Sequence, residues 1–117
     1  MTLVFSNGSK DLSTPGRGTS ASTPLWAGVI ALADELAGRH LGFVNTGIYR
    51  IATSRSYGAA FHDVTTGDNT ISTPKGTVTG YQASPGWDPV TGWGSPDAQV
   101  LVALLGTAVH ADDGGDL

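Results

Sequence analysis

Apolar side chains recur at helical spacing from Thr23 onward, at Leu25, Trp26, Val29, Ile30, Ala33, Leu36 and Ala37. Three-and-four spacing marks one face of a helix, so the pattern predicts a helix from Thr19 to Ala37, with Pro24 tolerated in a first turn. Ala27, Gly28 and Ala31 leave few polar positions before Asp34 and Glu35. A helix that apolar is expected to be buried nearly all round and to need neighbours on several sides. Gly38 fits its C-terminal cap, and Arg39 and His40 suit the negative end of its dipole.

Elsewhere the pattern is weaker. Met1 to Phe5 is β-prone and Ser6 to Gly8 reads as a turn, whereas Lys10 to Gly18 reads as loop. Asn45 can cap a short helix through about Ala52, which Gly47 weakens. Phe61 to Gly94 is glycine-rich and without periodicity; a stretch that long needs an organiser other than a core, and a bound ion is one. Ser95, Pro96 and Asp97 suit the N-cap, first position and first-turn acid of a helix ending near Leu105. Residues 106–117, ending "HADDGGDL", read as a flexible acidic tail after a single domain over 1–105. No internal repeat is visible.

Composition narrows the class. The 117 residues suffice for one small domain with a real core. Charged residues are 14% of the chain and apolar ones 39%, with 17 glycines and six prolines, which favours a loop-rich fold over a helical bundle. The net charge of −4 comes without a Lys/Arg cluster, so nothing here would hold a phosphate backbone and no nucleic-acid partner is expected. The absence of cysteine removes disulfides, thiolate zinc sites and thiol nucleophiles together. No stretch is apolar enough for a membrane span or an export signal.

Two groups of residues can carry chemistry. In "GRGTSASTPLWAG", Ser20 would sit at the start of the long helix, where free backbone N–H groups and the positive dipole end favour a developing oxyanion. From spacing alone, a cap role for Ser20 or Thr19 is the commoner outcome for such residues at a helix start. Glu35, the single glutamate, lies fifteen residues along the helix, about 22 Å from Ser20 at 1.5 Å per residue, and cannot be its base. A histidine-based triad would need His40, His62 or His110 beside Ser20; the adjacent His62 and Asp63 point to opposite faces of an extended segment. The second group is acidic. Calcium wants six to eight hard oxygens from carboxylates and irregular glycine-rich backbone, and Asp63 in "HDVTTG" and Asp88 in "SPGWDP" occupy such sequence. Both can instead make Asx-turns.

"GTSASTP" resembles the nucleophile segment of the subtilisin-like clan, and "GTSASTPLWAGVIALAD" is similar to the sedolisin family of serine-carboxyl peptidases. "LGFVN", "YRIA", "FHDVTTGDN" and "GYQASPGWDPVTGWGSPDAQVLVALL" follow in that family's order, so the resemblance covers Gly16 to Leu105. It implies an α/β fold, the C-terminal fragment of a subtilisin-like parallel-sheet domain, with a buried helix after the nucleophile and a long calcium-binding loop region. It also implies a serine-type endopeptidase attacking polypeptide substrates with Ser20. A glutamate base, an aspartate that orients it and an aspartate at the oxyanion complete the family's site, which therefore favours acidic pH. All three acids lie upstream in the family; Asp11 matches none of their motifs, so the chain is expected to lack them and to be inactive without the missing N-terminal part. The resemblance further implies a Ca2+ site with carboxylates from Asp63 and Asp88 and carbonyls from Val64, Ser84 and Gly86, and an extracellular location. Ser84 stands where glycine is usual, Arg17 where a small residue is usual, and Thr46-Gly47 where Pro-Ala is usual. The alternative is an inactive calcium-binding remnant or the split partner of a peptidase.

Overall fold

The computed structural model describes residues 2–6, 11–15 and 18–110. Two strands, β1 (Thr2–Ser6) and β2 (Asp11–Pro15), pair antiparallel in register from Thr2↔Pro15 to Ser6↔Asp11. β2 thus occupies part of what its composition marked as loop. Arg17 and residues 111–117 lie outside the described residues.

The long helix, α1, spans Thr19–Ala37 as its periodicity predicts. Gly38 closes it in the left-handed conformation at φ 65°, its N–H bonding the Glu35 carbonyl while Arg39 N–H reaches that of Asp34. Pro24 sits inside the helix rather than in its first turn. Without an N–H it cannot bond the carbonyl four residues back, so the Ser20 carbonyl loses its helical donor.

The expected all-round burial of α1 is corrected: Ala33 alone in it is fully buried. Only one face meets the core, and on the opposite arc no described residue supplies the neighbours that its apolar surface calls for. The parallel sheet is likewise not found among the described residues, where every strand pair is antiparallel and two-stranded. What is present is a mixed helix and antiparallel arrangement.

The core gathers on α4 (Ala98–His110), which packs against α1, α2 (Asn45–Ala52) and α3 (Tyr57–Ala60). Leu101 and Leu105 are fully buried on it, with Leu41, Val44, Ile51 and Phe61 around them. Each leucine so buried contributes about 2 kcal/mol. α4 starts at Ala98 and not near Ser95, because Asp97 is its cap: the Asp97 carboxylate accepts the Val100 N–H at 3.1 Å and its carbonyl the Leu101 N–H at 2.9 Å. Ser95 and Pro96 form instead a strand, β6, and the helix continues five residues past Leu105.

α2 has the predicted span, but its first turn carries no side-chain cap. Gly47, expected to loosen it, is buried against α4, where a Cβ would stand 2.8 Å from Val109 Cγ2. The missing side chain lets the two helices approach. Arg50 adds a hydrogen bond from its guanidinium to the Ala108 carbonyl.

The stretch expected to be structureless contains β3 (Phe61–His62), paired with β6 through Phe61↔Pro96 and His62↔Ser95. It also contains a hairpin, β4 (Ile71–Thr73) and β5 (Gly76–Val78). Both faces of that hairpin are exposed, which removes the alternation by which a strand is read from sequence. Trp93 packs edge-on against Tyr49 and Tyr57, at centroid distances of 6.0 and 5.6 Å, as a framing aromatic should. Trp87, in the same glycine-rich stretch, is 51% exposed. Among the described residues no helix is long and apolar enough to cross a membrane.

Candidate active-site and metal-binding segments

Ser20 lies exposed in the first turn of α1. Gly18 precedes the helix at φ 82° and ψ 173°, a conformation that favours glycine, and its carbonyl accepts the N–H groups of Ala21 at 3.1 Å and Ser22 at 3.3 Å. The N-terminus has no side-chain cap, so neither Thr19 nor Ser20 plays that role. Of the first-turn amides, those of Thr19 and Ser20 have no partner among the described residues, beside a serine hydroxyl and at the positive end of a nineteen-residue helix.

The groups that could activate Ser20 within α1 are at its other end. Asp34 is tied there: its Oδ1 accepts the Leu41 N–H at 2.9 Å and its Oδ2 lies 3.0 Å from His40 Nδ1. The Leu41 amide, and then His40, hold the Asp34 carboxyl below its usual range. Asp34 is fourteen residues from Ser20, about 21 Å along the axis, which places His40 out of reach as well. His62 is exposed on β3, and its carbonyl is covered by Gly94. The His110 side chain lies outside what is described. No histidine is thus seen to pair with Ser20 among the described residues.

The two acidic segments do meet. Gly86, in the left-handed region at φ 80°, donates its N–H to Asp63 Oδ2 at 2.8 Å across 23 positions of sequence. Asp88 is 1% exposed, and both its oxygens are taken up. Oδ1 accepts the N–H groups of Val90 and Thr91, each at 2.8 Å; Oδ2 accepts Ser84 N–H at 3.1 Å and the Thr91 hydroxyl at 2.9 Å. Burial pushes the Asp88 carboxyl up, but the donors from Thr91, Ser84 and Val90 outweigh it and hold it at about 2. The Val90 bond is an Asx-turn, so that reading of Asp88 is realised. Asp63 makes no such turn. Its Oδ1 is buried and has no hydrogen-bond partner among the described residues.

Two of the residues singled out for carbonyl contacts to a metal are therefore held by Asp88 and Asp63 themselves: Ser84 through its N–H and Gly86 through its own. Val64 follows Asp63 and is 37% exposed. No group of three or more His, Cys, Asp or Glu side chains converges among the described residues. Two further participants escaped the sequence reading. Thr91 closes the Asp88 site with both its N–H and its hydroxyl, and the D-x-x-T spacing of Asp88 and Thr91 is the available signal. Tyr57 donates its hydroxyl to the Trp93 carbonyl at 3.2 Å; burial first, and then Asp63 beside it, raise its pKa. Nothing local in sequence announces Tyr57.

Kumamolisin from Bacillus sp. (strain MN-32) is 40% identical over 95 residues, covering 80% of this chain and 16% of that protein. Tripeptidyl-peptidase 1 from Homo sapiens is 41% identical over 93 residues, 75% of this chain and 16% of that protein, and the Rattus norvegicus protein of that name matches equally. The chain thus spans about one sixth, 16%, of the length of the curated relatives it matches. No family model and no solved structure matches it.

Proposed function

The chain belongs to the sedolisin family, and from that premise we propose that it carries the nucleophile and calcium segments of a serine-type endopeptidase acting on polypeptides. The observation that carries this reading is the exposed Ser20 at an uncapped helix N-terminus. Ser20 Oγ attacks the scissile carbonyl carbon while its proton passes to a carboxylate base. The carbonyl oxygen, now negative, lies toward the unbonded first-turn amides, which stabilise it without reorganising. A carboxylate base must be ionised while an oxyanion aspartic acid stays protonated, so the activity favours acid.

Among the described residues no acid is seen bonded to Ser20, and on this reading the base, its orienting aspartate and the oxyanion aspartate are supplied by polypeptide beyond 18–110. The 117-residue chain alone is expected to hydrolyse no peptide. Supplied with the complementary part of the domain, it should cleave an N-terminally blocked peptide near pH 4, and Ser20→Ala should abolish this. Cleavage unchanged in Ser20→Ala would refute the nucleophile; release of tripeptides only from free N-termini would refute the endopeptidase assignment.

Calcium fits the second segment. A buried carboxylate oxygen without a donor, Asp63 Oδ1, is costly unless a cation faces it. Asp63 and Asp88 would hold the ion with the carbonyls of Val64, Ser84 and Gly86, and Asp88 would exchange one of its donors for it. The ion supplies positive charge that binds the two acidic segments together, and no reaction step passes through it. Ser84 serves by its carbonyl, which a side chain does not remove. An extracellular location accords with calcium at millimolar levels.

That no acid is seen bonded to Ser20 among the described residues also favours a second reading, a calcium-binding remnant or split partner without catalysis of its own. Calcium-dependent stabilisation together with no Ser20-dependent hydrolysis in any complemented form would select it.

A further inference from the structure

Tyr57 joins the two acidic segments while belonging to neither. It opens α3, six positions before Asp63, and its ring packs on Phe61 of β3 at a centroid distance of 5.9 Å and on Trp93 at 5.6 Å. Gly92, next to Trp93, exchanges backbone hydrogen bonds with Asp88 at 3.1 and 2.9 Å. The tyrosine is thus fixed at once to the strand leading into Asp63 and to the loop that carries Asp88.

A phenol has one proton to give. Here it goes to the Trp93 carbonyl at 3.2 Å, although the Asp63 carboxylate lies beside the same hydroxyl. Asp63 Oδ2 has its own donor in the Gly86 N–H, but Oδ1 is buried and has none. The hydroxyl therefore covers the acid without bonding to it. A buried carboxylate oxygen left in that state is costly until a cation faces it. Asp88 differs, because Val90, Thr91 and Ser84 already fix both its oxygens. Asp63 has only one donor, so its placement depends on what packs around it.

We propose that Tyr57 is a positioning residue of the calcium site: its hydroxyl, spent on the Trp93 carbonyl, holds the Asp88 loop against Asp63 and keeps water from Asp63 Oδ1, which is thereby reserved for the ion. The inference rests on the calcium reading above, and it gives Tyr57 no direct bond to the ion.

The test titrates the 117-residue chain with terbium(III), an oxygen-seeking ion that stands in for calcium, and follows its emission. Emission lifetimes in H2O and D2O count the waters on the bound ion, at a temperature where circular dichroism shows every variant folded. Tyr57→Phe keeps both ring contacts and loses only the hydroxyl. It should bind terbium roughly three- to tenfold more weakly, the effect of one lost hydrogen bond. It should also carry about one more water on the ion, because a hydroxyl-sized gap between the Trp93 carbonyl and Asp63 has the polar partners to admit one. Tyr49→Phe removes a hydroxyl from another ring packed on Trp93 and should change neither quantity. Wild-type affinity and water count in Tyr57→Phe would overturn the proposal and leave the calcium reading standing. Weaker binding without an added water, or the reverse, would reduce Tyr57 to a packing residue and overturn it as well. A wild-type chain that binds neither terbium nor calcium would reject the calcium reading and the proposal with it.

Discussion

Gly94 is the position where the acidic segment is fastened to the helical part, and replacing it separates two effects that are usually mixed. Its φ is +89°, and a Cβ there would lie 2.1 Å from the His62 carbonyl oxygen, 2.9 Å from the His62 carbonyl carbon and 3.1 Å from Asp63 Cα. All three are backbone atoms of β3 and its extension, so no side-chain rotation relieves them. Gly92 is the control: its φ is +61° and nothing lies within 4 Å of where its Cβ would be. Left-handed backbone costs an L-residue about 1–2 kcal/mol, and Gly92→Ala should cost about that. Gly94→Ala adds the loss of the β3–β6 pair, whose ladder bonds contribute about 1 kcal/mol each, for a total of about 3–4 kcal/mol. At about 4–8 °C per kcal/mol, Tm should fall by roughly 5–15 °C in Gly92→Ala and by more than about 12 °C in Gly94→Ala. Thermal melts by circular dichroism measure both. Amide exchange should show His62 and Ser95 opening in Gly94→Ala alone. Equal destabilisation of the two variants, or a protected β3–β6 pair in Gly94→Ala, would refute the argument from close approach.

The other predictions concern charge and packing. Millimolar calcium should raise Tm, since a ligand bound only to the folded state stabilises it; Asp63→Ala and Asp88→Ala should each remove the rise, and no rise in the wild type would reject the site. In chelator, Asp88 should contribute a pH dependence of known sign: its carboxyl is held at about 2, below the ordinary 3.8, so its contribution is complete above about pH 4 and fades as pH falls toward 2. The Tm difference between wild type and Asp88→Asn should accordingly shrink over that interval, and a constant difference would contradict the hydrogen-bond account of Asp88. Gly47→Ala gains about 1 kcal/mol of helix propensity but collides with Val109 Cγ2 at 2.8 Å. Alone it should be neutral or destabilising, whereas on a Val109→Ala background it should stabilise; equal effects on both backgrounds would exclude the collision.

The local signals in the chain were legible where one residue decides a conformation. Gly38 as a C-cap and the span of α1 followed from periodicity and one left-handed glycine. The start of α4 was misread because Ser95, Pro96 and Asp97 each suit a helix start, and only the pairing of β6 with a strand 34 positions earlier selects Asp97. The same holds for Asp63. Its partner Gly86 is 23 positions away, and no local pattern distinguishes an acid that bonds across the fold from one that makes a turn. Asp88 was easier, because Val90 and Thr91 lie within three residues of it.

The misreading of α1 is of a different kind. A helix records in its composition the surroundings it was selected to meet, so the apolar arc of Leu25, Leu32 and Leu36 marks required contact rather than contact present in the described residues. Burial of Ala33 against α4 accounts for one face alone. If each open leucine were buried to the extent of Leu101, about 1 kcal/mol or more apiece would be added, given that over half of each is exposed. A contribution of about 3–5 kcal/mol is comparable to the whole stability of a small domain. The helix bearing Ser20 is therefore the element whose order depends most on its partner, and under the proposed function activity and stability should appear together when that face is covered.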